Sequence, residues 1–200
     1  MADRDVAGVL LVGGASTRFG SQKALAAFEG ETLAERGRRI LGEAFDLVIV
    51  VGKAADCWPL PFPVLDDGSE LRAPIVGVAA GLRLAGAELC VVLPTDMPWV
   101  TPALLRRLAA AAEGADAAVP QTGALPGAYR RTALPVLERR IAAGELALHR
   151  ALLELETRVV HLDARLLGNA NVPDDLLGPE VRARRMEDSG LPEPGCGSEP

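Results

Sequence analysis

The stretch AGVLLVGGASTRFGSQK, residues 7–23, decides how this chain is read. AGVLLV is a continuous apolar run that stops at Gly13-Gly14. A run this short, closed by glycine, predicts a strand buried on both faces, as in a parallel sheet. The glycines let the backbone turn tightly just past the strand end. Working outward, LVIVV at 47–51 and LCVVL at 89–93 repeat the buried-strand pattern, and Val64-Leu65, 117–120 and 158–162 predict shorter strands. Between them, helical spacing predicts helices over 32–43, 74–84, 103–113, 134–141 and 146–155. Pro74 and Pro102 fall in first turns, where no N–H is needed, and Thr101 suits an N-cap.

Strands that alternate with helices specify an α/β domain. The expected architecture is three-layer: a mostly parallel, Rossmann-like sheet with helices on both faces. Two hundred residues accommodate one such domain, and with aromatics at 4% Ala, Leu and Val must build its core. The domain is expected over 1–178. Residues 179–200, ending in GLPEPGCGSEP, lack apolar periodicity and read as a disordered C-terminal tail. No repeat is present.

Bulk chemistry excludes several classes. The formal net charge of −6 opposes binding to DNA or RNA. No apolar stretch approaches the roughly 20 residues that span a bilayer, and no signal peptide is visible, so a cytoplasmic protein without membrane contact is expected. The three cysteines, Cys57, Cys90 and Cys196, are distant from one another and form no CxxC pair, which argues against a zinc site or a disulfide framework. Cys90 reads as a small buried hydrophobe. His149 and His161 lack partners at catalytic spacing and read as structural or surface residues, so acyl transfer through a nucleophilic triad is not indicated.

Three constellations carry chemistry. In the first loop, the amides near Gly13 and Gly14 can form an anion nest, with Arg18 and Lys23 adding two cations. The bland reading is a bare glycine turn with two solvated cations. Neither GxGxxG nor GxxxxGK[ST] is present. In PTDMP, residues 94–98, Asp96 lies just past a strand end between two prolines, placed to bind a hard cation such as Mg²⁺, or else to cap a turn. Asp66-Asp67 precede APIVGVAAGL, residues 73–82.

The segment LLVGGASTRFGSQKAL, residues 10–25, resembles the LAGGxSxRMGxxKxL signature of the molybdenum cofactor (molybdopterin) guanylyltransferase family, within the nucleotide-diphospho-sugar transferase fold. Val12 stands for the usual Ala and Phe19 for Met. PTDMP resembles that family's PCDxP, APIVGVAAGL its GPLAGxxxGL, GALPGAYRR with LPVLE its PLxALYRR…LPxLE, and NANVPDDL at 169–176 its NxNTPEDL. The resemblance spans roughly residues 7–177, with its motifs in family order.

The resemblance implies transfer of GMP from GTP to molybdopterin, with Mg²⁺ as cofactor and pyrophosphate as leaving group. It implies nucleotide contacts at Leu11, Val12, Gly13, Gly14, Lys23, Asp66 or Asp67, and Asp96, with Arg18, Lys23 and Asp96 catalytic and Asp96 the metal ligand. It implies an acceptor side at Arg130, Asn169 and Asn171; amides suit the mixed donor and acceptor edge of a pterin. Transient contact with molybdenum-cofactor insertion proteins is also expected. A CTP-dependent molybdopterin cytidylyltransferase fits the same motifs, as the base is chosen by contacts near 10–12 and 73–77. A sugar-phosphate nucleotidyltransferase is a more distant enzyme reading. A non-catalytic pterin or nucleotide carrier is a reading from another class, which Arg18, Lys23 and Asp96 together oppose, since a carrier needs no metal site.

Overall fold

A computed structural model describes residues 5–13 and 23–170. The elements, in chain order, are β1 (Val6–Leu11), β2 (Ala27–Phe28), β3 (Glu31–Thr32), α1 (Leu33–Ala44), β4 (Leu47–Gly52), β5 (Leu65–Asp66), α2 (Pro74–Ala85), β6 (Leu89–Pro94), α3 (Pro102–Ala111), β7 (Ala117–Pro120), β8 (Gly127–Arg130), α4 (Leu134–Ala142), α5 (Leu148–Ala151) and β9 (Thr157–Val160).

Seven strands form one sheet in the order β5-β4-β1-β6-β8-β7-β9, and β2 pairs with β3 in a small hairpin. Every neighbouring pair in the large sheet is parallel except the two made by β8. The register sets Leu10 opposite Val50 and Leu93, and Gly52 opposite Asp66. The carboxyl ends of β1, β4, β5 and β6 therefore share one edge.

The apolar runs are continuous because both faces of the sheet are covered. Leu10 on β1 and Leu89, Val91 and Leu93 on β6 pack with Ile40 and Leu41 of α1 and Leu105 and Leu108 of α3. Ala7, Val9, Cys90 and Val92, on the opposite face, pack with Ile75, Val78 and Leu82 of α2 and Leu137 of α4. Removing each such aliphatic side chain from water contributes about 1.5–3 kcal/mol, which makes alternate residues of β1 and β6 the backbone of two cores. Burial pushes the Cys90 thiol up to about 12, offset a little by Arg131, so it stays an uncharged core residue.

Local signals set the helix starts. Thr32 caps α1: its hydroxyl accepts from Glu35 N at 3.1 Å, and Glu35 accepts from Thr32 N at 2.8 Å, a reciprocal capping box. Thr101 caps α3, and Pro74 opens α2. Among the described residues no helix is long and apolar enough to cross a membrane.

Two expectations change. The stretch 146–155 is not one helix but α5 followed by a 3-10 turn over Leu152–Glu154. Ala147 offers no side-chain cap, and Glu154 is drawn to Arg139 and Arg140 of α4, which fixes the turn. The residues before Arg131 form a strand, β8, which adds an antiparallel member to the strands expected. The predicted tail, 179–200, lies outside the described residues.

Candidate functional site

The shared edge of carboxyl ends borders a cavity of about 390 Å³, within the range of small-ligand sites. Its wall comes from the end of β1 (Leu11, Val12, Gly13), the end of β4 (Val51, Gly52, Lys53), the loop after β6 (Pro94, Thr95, Asp96) and the start of α2 (Ala73, Pro74, Gly77). Main-chain bonds extend the sheet pattern past the strand ends and hold these loops in place. Val12 N donates to Val51 O at 2.9 Å, Thr95 N to Leu11 O at 3.3 Å, and Asp67 N to Gly52 O at 2.9 Å. Gly77 lets α2 lie close on β1: a Cβ there would sit 2.9 Å from Leu11 Cδ2. The positive, N-terminal end of α2 thus borders the cavity, where it favours an anion.

Lys23 and Asp96, separated by 73 residues in sequence, meet in this wall, Nζ to Oδ2 at 3.1 Å. Their side chains are 13% and 27% exposed, so both are accessible from the cavity. Two further contacts fix the Asp96 loop. Arg36 of α1 donates from Nε to Pro98 O at 2.7 Å, and Ala170 N donates to Asp96 O at 2.8 Å.

The register separates Asp66 from Asp67. Asp66 pairs with Gly52, is exposed, and accepts from Ala54 N at 3.1 Å outside the cavity lining. Asp67 lines the cavity and is buried against Lys53, whose Nζ lies 2.8 Å from Oδ1 and 2.7 Å from Oδ2.

The structure therefore brings Leu11, Val12, Gly13, Lys23, Asp67 and Asp96 to one cavity. Asn169 is exposed and immediately precedes Ala170, the residue bonded to the Asp96 main chain. Arg130 lies elsewhere. Because β8 runs antiparallel, Arg130 pairs with Leu89 at the amino end of β6, and its Nε donates to Ala112 O at 3.1 Å. Gly14, Arg18 and Asn171 lie outside the described residues.

Sequence reasoning missed two charged lining residues, Lys53 and Arg72. Lys53 directly follows β4, the same strand-end placement that singled out Asp96, and this was the available signal. Arg72 carried none, because its place depends on a fork to Asp56 at 3.0 and 2.6 Å. Hydrogen bonding to Arg72 holds the Asp56 carboxyl below its usual range despite partial desolvation.

Among the described residues no three His, Cys, Asp or Glu side chains cluster as a metal cage. Asp67 and Asp96 both line the wall, and each is paired with a lysine: Asp67 is buried against Lys53, whereas Asp96, beside Lys23, is the more exposed and so the one a hard cation could reach.

Fold and edge together define the class: an α/β domain with its ligand cleft at the carboxyl ends of parallel strands. Residues 8–160 match the MobA-like NTP transferase domain, and the chain belongs to that family. It is 34% identical over 190 residues to a probable molybdenum cofactor guanylyltransferase of Chloroflexus aggregans, covering 86% of this chain and 91% of that one. It is 35% identical over 187 residues to a protein of the same name from Mycobacterium tuberculosis, covering 87% and 92%. Among solved structures, molybdopterin-guanine dinucleotide biosynthesis protein A of Archaeoglobus fulgidus superposes with a TM-score of 0.72 at 25% identity, over 92% of this chain and 99% of that one. The 2-C-methyl-D-erythritol 4-phosphate cytidylyltransferase of Thermus thermophilus shares the fold, with a TM-score of 0.66 at 21% identity over 88% and 98%.

Proposed function

We propose that this protein transfers GMP from GTP to molybdopterin, forming the guanine dinucleotide of the molybdenum cofactor and releasing pyrophosphate. The observation that carries this reading is the convergence of Lys23 and Asp96 on one cavity at the carboxyl edge, in a chain whose relatives bear guanylyltransferase names.

The acceptor phosphate of molybdopterin is already anionic, so no protein nucleophile is required. One of its oxygens forms a bond to the α-phosphorus of GTP, and the bond to the β-phosphate oxygen breaks, its electron pair leaving with pyrophosphate. The protein contributes position and charge. Lys23 lies on the phosphates and offsets the charge that grows on the leaving group, with Arg18 as a second cation. The amides near Gly13 and Gly14 and the amino end of α2 add fixed partial charges. Asp96, at the cavity wall beside Lys23, is the residue that would hold Mg²⁺. The chemistry such an ion would supply is neutralisation of phosphate charge. The family resemblance assigns the amides of Asn169 and Asn171 to the pterin.

The test is pyrophosphate release by the full chain with molybdopterin and Mg²⁺, supplied with GTP or CTP. Release with GTP and little with CTP is expected. Release with CTP alone would make the enzyme a cytidylyltransferase, and no release with either would favour a carrier.

A further inference from the structure

Lys53 and Asp67 are 9% and 7% exposed, the two buried charged side chains among the described residues, and they are each other's partners. A buried ion pair is seldom kept for stability, because two well-packed apolar residues hold a fold as well or better. This pair also lines the nucleotide cavity, so its geometry has to be read for function.

An ammonium carries three donors and no acceptor. Lys53 uses all three: on the Asp67 carboxylate, on Ser69 O at 2.6 Å and on Leu71 O at 2.7 Å. None remains for a ligand, so Lys53 acts through what it holds. It straps residues 67–71, between β5 and α2, against the end of β4. The Asp67 backbone is fixed as well, its N–H on Gly52 O and its carbonyl accepting from Arg83 at 3.3 Å.

The carboxylate has about four acceptor positions. Lys53 takes one on Oδ1 and faces Oδ2 across the ion pair at 2.7 Å, and Ser69 N takes a second on Oδ1 at 3.0 Å. The acceptor capacity that remains is on Oδ2. Asp67 thus offers an acceptor that the ammonium has already neutralised. A bare carboxylate here would repel an incoming triphosphate, and this one does not.

We propose that Lys53 is a positioning residue for base selection, holding Asp67 so that its remaining acceptor meets the N–H donor edge of guanine. This rests on the guanylyl-transfer reading. Guanine offers N1–H and a 2-amino group, hypoxanthine lacks the amino group, and cytosine offers one amino group flanked by acceptors. A site that hydrogen-bonds a substrate N–H discriminates against analogues without it, as the site group is left unpaired.

The experiment compares kcat and KM for GTP and ITP in the wild-type protein and in Lys53→Met, with a melting curve for each. The wild type should prefer GTP. Lys53→Met should raise KM for GTP by roughly tenfold with kcat within about twofold, since uniform binding is what it removes, and the GTP-to-ITP preference should fall toward one. Should Lys53→Met not fold, Lys53→Gln keeps a donor for Asp67 without the charge and should lose the same preference in part. An unchanged GTP-to-ITP ratio in whichever variant folds, with activity toward both nucleotides lost in proportion, would mean that Lys53 only braces the fold and would overturn the proposal. A wild-type protein that releases no pyrophosphate from GTP would overturn the transfer reading itself, a separate and earlier failure.

Discussion

The two halves of the sheet treat polar groups in opposite ways. In the half formed by β5, β4, β1 and β6, all strands run parallel and end at the same edge. The charged groups at that edge, Lys23, Lys53, Asp67 and Asp96, border a cavity. In the half formed by β8, β7 and β9, the reversal of β8 carries its last residue to the opposite edge. There the polar groups are tied into the framework. Asp116 accepts from the Thr132 hydroxyl at 2.5 Å and from Glu156 N at 3.0 Å, while Arg130 N donates to Asp116 O at 2.8 Å. Strand direction thus separates the polar groups that border the cavity from those tied into the framework. A part-exposed carboxylate at the cavity edge, as Asp96 is, should be replaceable without harm to stability, and a hydrogen bond in the other half should not.

The largest expected effect follows from that contrast at Asp96. Asp96→Ala should reduce kcat by about 10³-fold or more, equivalent to about 4 kcal/mol of barrier, because it removes the carboxylate assigned to the metal. The melting temperature should move by only a few degrees. The main-chain bond from Ala170 survives the change, and the lost ion pair with Lys23 is partly exposed. Steady-state pyrophosphate release paired with a thermal melt checks both. A variant that keeps full turnover, or that unfolds, would erase the distinction between the two halves.

The parallel half was legible in the sequence because its strands are buried on both faces, so AGVLLV, LVIVV and LCVVL advertise themselves as unbroken apolar runs. The positions of Lys23 and Asp96 followed from the rule that ligands sit at carboxyl ends. Other features required coordinates. β8 is only four residues long, and its place between β6 and β7 is set by pairing with strands distant in sequence, which no local pattern encodes. The two-residue strands β2 and β3 are too short for periodicity to register. Asp66 and Asp67 look equivalent as letters. Only the pairing of Asp66 with Gly52 turns its neighbour inward to Lys53. Lys53 itself obeyed the strand-end rule but carried no motif to draw the eye.

A smaller effect is expected where the second half supports the first. Tyr129 on β8 is fully buried, and its hydroxyl donates to Ala124 O at 2.6 Å, next to Leu125 in the cavity wall. Burial pushes its phenol well above the usual range, so it stays a donor at any working pH. Tyr129→Phe leaves the Ala124 carbonyl without that donor, at a cost of about 1–2 kcal/mol. The melting temperature should fall by about 2–6 °C, with a modest rise in KM for GTP. A melt that does not move would show that this hydroxyl contributes nothing to the second half.

The smallest effect is expected at Arg130, and it bears most directly on the contrast. The family resemblance places Arg130 on the acceptor side, whereas the antiparallel run of β8 sets it at the amino end of β6 with its Nε on the Ala112 carbonyl, just past α3. Arg130→Ala should therefore change KM for molybdopterin by less than about twofold and cost about 1 kcal/mol of stability, the worth of one partly exposed hydrogen bond. Acceptor titrations at saturating GTP, with a denaturant melt, decide it. A tenfold rise in acceptor KM at unchanged stability would mean that the acceptor reaches the amino edge, and strand direction would no longer sort the polar groups by role.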